Sequence, residues 1–496
     1  MTRPYLLAGA IDILSHQLDF KEANTIYNRF ALYYSLHLTK DITAYTSLKT
    51  TADLAIAYFF GVFGSLTLYR AHFHPLNHIP GPYLARISGL WLSAKLHYRP
   101  AYILIHDLHG QYGPVVRVGP SNVSILHPSA VPQIYGPRSP YTKSTFYDNG
   151  HPMKSLHVYR SRSEHDTRRR VWSTAFGDAR LRGNESRIRF NLYSYDVMAD
   201  LAFGRSFGML DTSRNHWAIE VLLKGVVPFQ YYLPSWVFRC LITMPALTSD
   251  FHQFVRFATR KLVDRMGDKV EIPDICASFL APLNGKPPTM DEFNLLMGNA
   301  MLVITAGSDT TATTLTTLLY RLARHPAEVN KLRAELAPIE RDPSGDYLHS
   351  TIAQLPHLGG FINETLRLHP PAPSLFLGIR RVKGLLWEWD VYSGSVTVFC
   401  SQWVLGRSSE VYSDPLSFIS ERWYSHPELL KARSAYTPFS LGAYSCIGKP
   451  LALMNIRTKI ARLIMTYDIS FPDGEDGEHY SMTGRIILVW GLGGCR

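Results

Sequence analysis

The sequence predicts a mainly α-helical fold with small β-sheets, preceded by an N-terminal membrane anchor, and three features predict it. An uncharged stretch of 16 residues, Leu54 to Tyr69, ends at Arg70 and a cluster of histidines. A proline-rich stretch follows. Beyond it most of the chain has helical periodicity, interrupted by two short β-like runs, "GPVVRVGPSNVSIL" and "SGSVTVFC". There is no internal repeat and no low-complexity segment.

In chain order, residues 1–50 form an extension of mixed polarity to which the sequence assigns no role. Residues 51–70 are the expected transmembrane anchor. As a helix the uncharged core spans about 24 Å, short of the roughly 30 Å of a bilayer interior, and Thr51 to Asp53 with a snorkelling Arg70 would close the gap. The competing reading is a buried helix of a soluble protein. The stretch lies too far from the start for a cleaved signal peptide. Residues 71–84 hold Pro75, Pro80, Gly81 and Pro82, expected as a stiff extended linker that cannot continue a helix. Residues 85–496 then form the main domain.

Composition limits what that domain can be. Of 496 residues, 46% are hydrophobic, 12% aromatic and only 18% charged, which describes a large apolar interior with room for a sizeable ligand and excludes general disorder. The five cysteines, Cys240, Cys276, Cys400, Cys446 and Cys495, contain no CxxC pair, against both a disulfide framework and a structural zinc site. A net charge of +11 permits an acidic partner or anionic lipid. The densest basic run, "YRSRSEHDTRRRVW", has no recognition motif beside it, so no nucleic-acid partner is expected.

The longest helix begins at "PPTMDEFNLL", where Thr289 and Glu292 read as a capping box, and runs toward Pro326. Its middle, "AGSDTTATT", places Gly307, Asp309 and several threonines inside an apolar helix, although glycine there costs about 1 kcal/mol against alanine. Either the threonines back-bond to the preceding turn, or the helix is held open beside a ligand with an acid and an alcohol ready to pass protons. A second helix, "GGFINETLRLHPP", puts Glu364 and Arg367 three apart on one face.

"FSLGAYSCIGKP", residues 439 to 450, frames Cys446 between Gly442 and Gly448. A phosphate-binding loop fails here on spacing and on Pro450 after Lys449. A structural cysteine in a turn and a thiolate metal ligand remain. Pro450 opens a helix whose apolar positions Ile456, Ile460, Leu463, Ile464 and Tyr467 follow helical spacing, so its positive end favours a thiolate.

Taken in order, "AGSDTT", "ETLR", "SERW" and "FSLGAYSCIG" resemble the four signature regions of the cytochrome P-450 family, the haem-thiolate monooxygenases, over roughly residues 72 to 496. The linker wording "HPLNHIPGP" is similar to fungal microsomal members. The resemblance implies the cytochrome P-450 fold and a haem b (iron protoporphyrin IX) whose iron takes Cys446 as axial ligand, with Phe439, Gly442 and Gly448 shaping the loop around it. Gly442 and Gly448 would let backbone approach macrocycle and sulfur closely. Ala306 and Gly307 would lie over the haem, Thr310 would steady the dioxygen being reduced, and Asp309 would feed protons from solvent. His165, Arg169 and Arg381 match residues that contact the haem propionates. Glu364, Arg367 and Arg422 would form a buried structural network.

The same resemblance implies that one oxygen atom of O₂ enters a lipophilic small molecule by hydroxylation or epoxidation, in fungal secondary metabolism. Electrons would come from NADPH through a diflavin reductase, with cytochrome b5 as a further donor, and the remaining arginines and Lys449 would face the donor. The chain would be single-pass in the endoplasmic reticulum membrane with its catalytic domain cytosolic. Pocket walls would come from the loop around Tyr147, from Pro228 to Trp236 and from Ser374 to Leu377.

Three departures from the family pattern are visible. Tyr444 stands where Arg or His usually holds a propionate, exchanging a charge-assisted bond of about 1.5–3 kcal/mol for a neutral one of about 1. Ser420 replaces a proline and is expected to loosen the turn before Glu421. The stretch around Gly183 is about one helix short. The rival reading is therefore a non-catalytic haem-binding relative; an isomerase or dehydratase using haem without an electron donor would leave Asp309 and Thr310 without purpose.

Overall fold

The computed structural model describes residues 44–150, 153–176, 194–204, 232–242, 249–268, 274–343, 345–373, 379–381, 396–471, 474, 476 and 477. The short segment near Gly183, the wall segment Ser374 to Leu377 and Cys495 lie outside them.

The helix Met290–Arg324 is the central strut, 35 residues without a break. Its start is the expected capping box. Thr289 N donates to Glu292 Oε2 at 2.8 Å and Glu292 N donates to Thr289 Oγ1 at 3.4 Å. His325 ends it before Pro326 opens the next helix, Pro326–Leu336. The helices Ser194–Phe203, Ser249–Gly267, Pro356–Leu368 and Lys449–Thr466 all pack against this strut. Burial of Ala300, Val303 and Ile304 against Met198, Leu451 and Met454 makes one apolar cluster, and Leu318 and Leu322 against Phe361, Ile460 and Ile464 make a second. The last helix stops at Thr466. Tyr467, expected within it, is its extended C-terminal cap.

Both β-like runs are strands. β1 (Val115–Gly119) and β2 (Asn122–Ile125) form an antiparallel hairpin, and β5 (Thr397–Phe399) lies parallel to β2 with Asn122 opposite Thr397. β4 (Ile379–Arg381) and β3 (Tyr141–Lys143), not read from the sequence, complete a sheet ordered β1-β2-β5-β4-β3.

The N-terminal segment corrects two expectations. The helix Ala44–Leu68 continues through a π turn, Tyr69–Phe73. Its candidate spanning part, Leu48–Phe73, is 26 residues, none of them buried, and contains an 18-residue window of mean hydropathy 1.4. At 1.5 Å per residue that is about 39 Å, longer than a bilayer interior, with the uncharged run Leu54 to Tyr69 at its centre and Arg70 near its end. Arg70 instead donates from Nη1 to Ile87 O at 2.9 Å. Nor is the linker wholly extended. Pro75–His78 is a 3₁₀ turn, and Leu76 and Ile79 are buried with Val123, Ile125 and Val398. Arg117 N donates to Pro80 O at 2.8 Å, and a Cβ on Gly81 would lie 2.2 Å from Arg117 O, so this approach requires glycine.

Candidate functional site

The loop before the last helix turns on two left-handed residues, Ser440 (φ 58°) and Gly442 (φ 61°), and closes where Cys446 N donates to Phe439 O at 2.8 Å. Gly442 is required by its conformation and by contact, since a Cβ there would lie 2.6 Å from Tyr135 O. On that side its close neighbour is the backbone of Tyr135 and Gly136. Gly448 is not tight either: a Cβ would sit 3.9 Å from Cys446 Sγ, an ordinary contact.

Cys446 is exposed at the surface of the loop, although the protein around its sulfur is the largest influence on the thiol. Burial pushes the thiol up. The backbone N–H groups of Gly448 and Lys449, and the charges of Arg169 and Lys449, pull it down without prevailing. The helix end thus favours the thiolate, as expected, against the opposing effect of burial. A metal cation at the sulfur would prevail over burial, because coordination deprotonates a thiol.

On the central helix, Ala306 and Asp309 are exposed and Thr310 is half-buried, a notch in a run where Val303, Ile304, Ser308 and Thr311 are buried. Burial of its surroundings nevertheless pushes the Asp309 carboxyl up, which readies it to carry a proton closer to neutral pH. Thr310 Oγ1 donates to Ala306 O at 2.8 Å, and Thr311, Thr314 and Thr317 also bond four residues back. The helix is not held open. Gly307 faces another helix, since a Cβ there would meet Met198 Cε at 2.5 Å.

Beside the cysteine loop is a concentration of positive charge. Arg169, on the helix Arg162–Ala175, donates to Ser445 O at 2.7 Å and to Ser445 Oγ at 3.1 Å. The buried His165 ring packs edge-on to Tyr444 at 4.6 Å, Lys143 Nζ lies 4.9 Å from the centre of the Tyr444 ring, and Arg162 lies 5.8 Å from it. Burial and then the charge of Arg169 lower Lys143 to about 7; burial, with Lys143 and Arg169 adding to it against Asp166, lowers His165 to about 4. Tyr444 Oη is buried and has no hydrogen-bond partner among the described residues. A cationic wall with an orphaned phenol is what a carboxylate-bearing ligand would complete, so the residues present fit a haem with propionates. Lys143 was missed in the sequence. Arg381 is in β4, where it pairs with Tyr141 of β3, two residues from Lys143, and its side chain is outside the described residues.

Glu364, Arg367 and Arg422 are brought together, all buried. Arg367 donates to Glu364 at 2.7 and 2.9 Å, Arg422 Nε at 3.2 Å, and Ile419 N and Trp423 Nε1 each at 2.9 Å. The remaining guanidinium N–H groups meet the carbonyls of Gly406, Pro415, Ser417, Ser413, Asp414 and Leu429. Ser420 does not loosen its turn: it is fully buried and its hydroxyl donates to Glu328.

In the loop expected as a pocket wall, Tyr147 is buried with its ring 5.1 Å from that of His157. Its half-buried neighbour Phe146 meets Tyr232, of the Pro228 to Trp236 segment, at 5.4 Å.

The sequence profile of the family described as cytochrome P-450 matches residues 182–489. A cytochrome P-450 monooxygenase of Aspergillus versicolor is 56% identical, over 97% of this chain and 94% of that protein. The tryprostatin B 6-hydroxylases of Aspergillus fumigatus and Neosartorya fischeri are 54% and 53% identical, over 96% and 88% of this chain and 94% and 85% of those proteins. The first two alignments run over 513 and 523 residues, more than the 496 of this chain, so both relatives carry residues without a counterpart here.

Proposed function

The chain belongs to the cytochrome P-450 family and is a haem-thiolate monooxygenase, and from that premise we propose that it hydroxylates a lipophilic secondary metabolite of the tryprostatin B type. The names of the two hydroxylases support hydroxylation over epoxidation. The observation that carries the reading is Cys446, which two backbone N–H groups address, beside Arg169, Lys143 and the buried Tyr444 hydroxyl that lacks a partner among the described residues.

In this reading Cys446 would hold the iron of a haem b, which would supply the chemistry of dioxygen activation. Lys143, His165, Arg169, Arg381 and Tyr444 hold its carboxylates. Asp309, with its raised pKa, takes a proton from solvent, and Thr310 Oγ1 leaves Ala306 O to pass that proton inward. Phe146 and Tyr232 help to exclude water. One oxygen atom enters the substrate and the other leaves as water, with two electrons from NADPH through a diflavin reductase and, for the second electron, cytochrome b5. The exposed Arg162, Arg170 and Lys449 would meet the donor. Residues 51–70 anchor the chain in the endoplasmic reticulum, 71–84 dock that anchor, and 85–496 form the cytosolic catalytic domain.

Thr310→Ala tests the proton relay. In a system reconstituted with reductase, substrate binding should hold while the ratio of product to NADPH consumed falls several-fold. An unchanged ratio would leave Thr310 as a back-bonded helix residue only. The second reading, haem binding without turnover, is favoured by the residues present in the relatives and absent here. It predicts a wild-type chain with a normal haem spectrum and no product.

A further inference from the structure

Two buried asparagines have a side-chain oxygen without a hydrogen-bond partner among the described residues. Asn299, on the central helix, is 5% exposed, and Asn149, in the turn Thr145–Gly150, is 4% exposed. A carboxamide taken from water and left unpaired costs stability, so each of these calls for a group that completes it.

The helix fixes where Asn299 points. At about 100° per residue, it lies within about 20° of both Ala306 and Thr310 around the helix axis. It therefore shares the face of the notch at those two residues, set back from them by roughly 10 and 16 Å along the axis. The chain that holds Asn149 comes to the same stretch of helix. Five residues past Asn149, Lys154 N donates to Asn294 O at 3.4 Å, and Gly298, beside Asn299, has no room for a Cβ against Lys154 O. Residues three apart in a 3₁₀ turn eclipse, so Asn149 shares the side of Phe146, whose ring meets Tyr232. Apolar walls with a few placed polar groups are how a pocket orients what it binds.

We propose that Asn299 and Asn149 orient the substrate by hydrogen bonds to amide groups, the one at Asn299 lying roughly 10–16 Å from the carbon that is oxidised. The proposal rests on the reading of the chain as a hydroxylase of a lipophilic metabolite, and adds the group by which that metabolite is held. An amide is the matching class because a carboxamide answers it with both ends: Oδ1 accepts from the amide N–H while Nδ2 donates to the amide carbonyl. A hydrocarbon or an ether would leave Oδ1 unpaired.

The test is equilibrium dialysis of the haem-loaded full chain against tryprostatin B and against an analogue in which methyl groups replace its N–H hydrogens. Wild type should bind the analogue at least tenfold more weakly, and Asn299→Leu and Asn149→Leu should each reduce that ratio several-fold. Product formed by Asn299→Leu should spread over more than one hydroxylated carbon. The thermal midpoint of this variant without substrate should hold or rise, because an unpaired polar group gives way to an apolar one of similar size. A ratio unchanged in both variants would overturn the proposal, and a midpoint that falls with the ratio unchanged would make Asn299 a structural residue completed by buried water. Equal binding of the two compounds by a wild-type chain that still hydroxylates would overturn the proposal alone. Binding of neither compound would overturn the substrate reading as well.

Discussion

At the scale of residues, Cys446 differs from the other described cysteines by its surroundings. Cys276 and Cys400 are buried in apolar clusters, and burial holds their thiols far up with no backbone donors to offset it. Replacing Cys446 by Ala should abolish stable haem incorporation, while Cys276→Ala and Cys400→Ala should retain it; haem content per purified chain is the measurement. Lys143 gives a pH dependence. Its pKa in the folded chain lies below that of a free lysine, so without haem the charged form costs stability that is lost as pH falls through about 7. A bound carboxylate needs that charged form, so the contribution of Lys143 to haem affinity should be full below pH 7 and fade above it. Cys446 works oppositely, since ligation releases its proton. The difference between wild type and Lys143→Met in haem dissociation across this range isolates the effect, and a constant difference would contradict it. Cys446 was legible because glycines and a helix start surround it in sequence. Lys143 was not: its burial depends on carbonyls of Leu156 and His157, 13 and 14 residues away.

Among elements, the central helix was legible from both ends because its capping box and terminal proline are local signals. Its contacts were not, since nothing in "AGSDTT" says that Gly307 must admit Met198. The Glu364 network was legible in its members, while the six carbonyls that satisfy the two arginines come from turns of no distinctive composition. Glu364→Gln leaves Arg367 and Arg422 buried without a countercharge. It should destabilise the fold by about 3–5 kcal/mol, read from a shifted denaturant midpoint at unchanged slope. A loss below 1 kcal/mol would mean that the carbonyls suffice. Ser420 shows why a departure from a family pattern can mislead, because a hydroxyl at a proline position found Glu328 as a partner.

For the whole molecule, a long apolar N-terminal helix ahead of a mainly helical fold was readable from hydropathy and periodicity, whereas the sheet order was not. β2 pairs with β5 across some 270 residues, and short strands carry no address for a distant partner. The docked linker escaped notice for a related reason: Leu76 and Ile79 look like any apolar residues between prolines until the sheet they cover exists. Haem held through a cysteine sulfur is the claim on which the monooxygenase chemistry of this chain depends. The most direct test is the difference spectrum of the purified full-length chain, reduced and exposed to carbon monoxide. The account predicts the strongly red-shifted Soret band of a thiolate trans to carbon monoxide, absent in Cys446→Ala. A band at the position of imidazole-ligated haem, or a thiolate band that survives loss of Cys446, would contradict it.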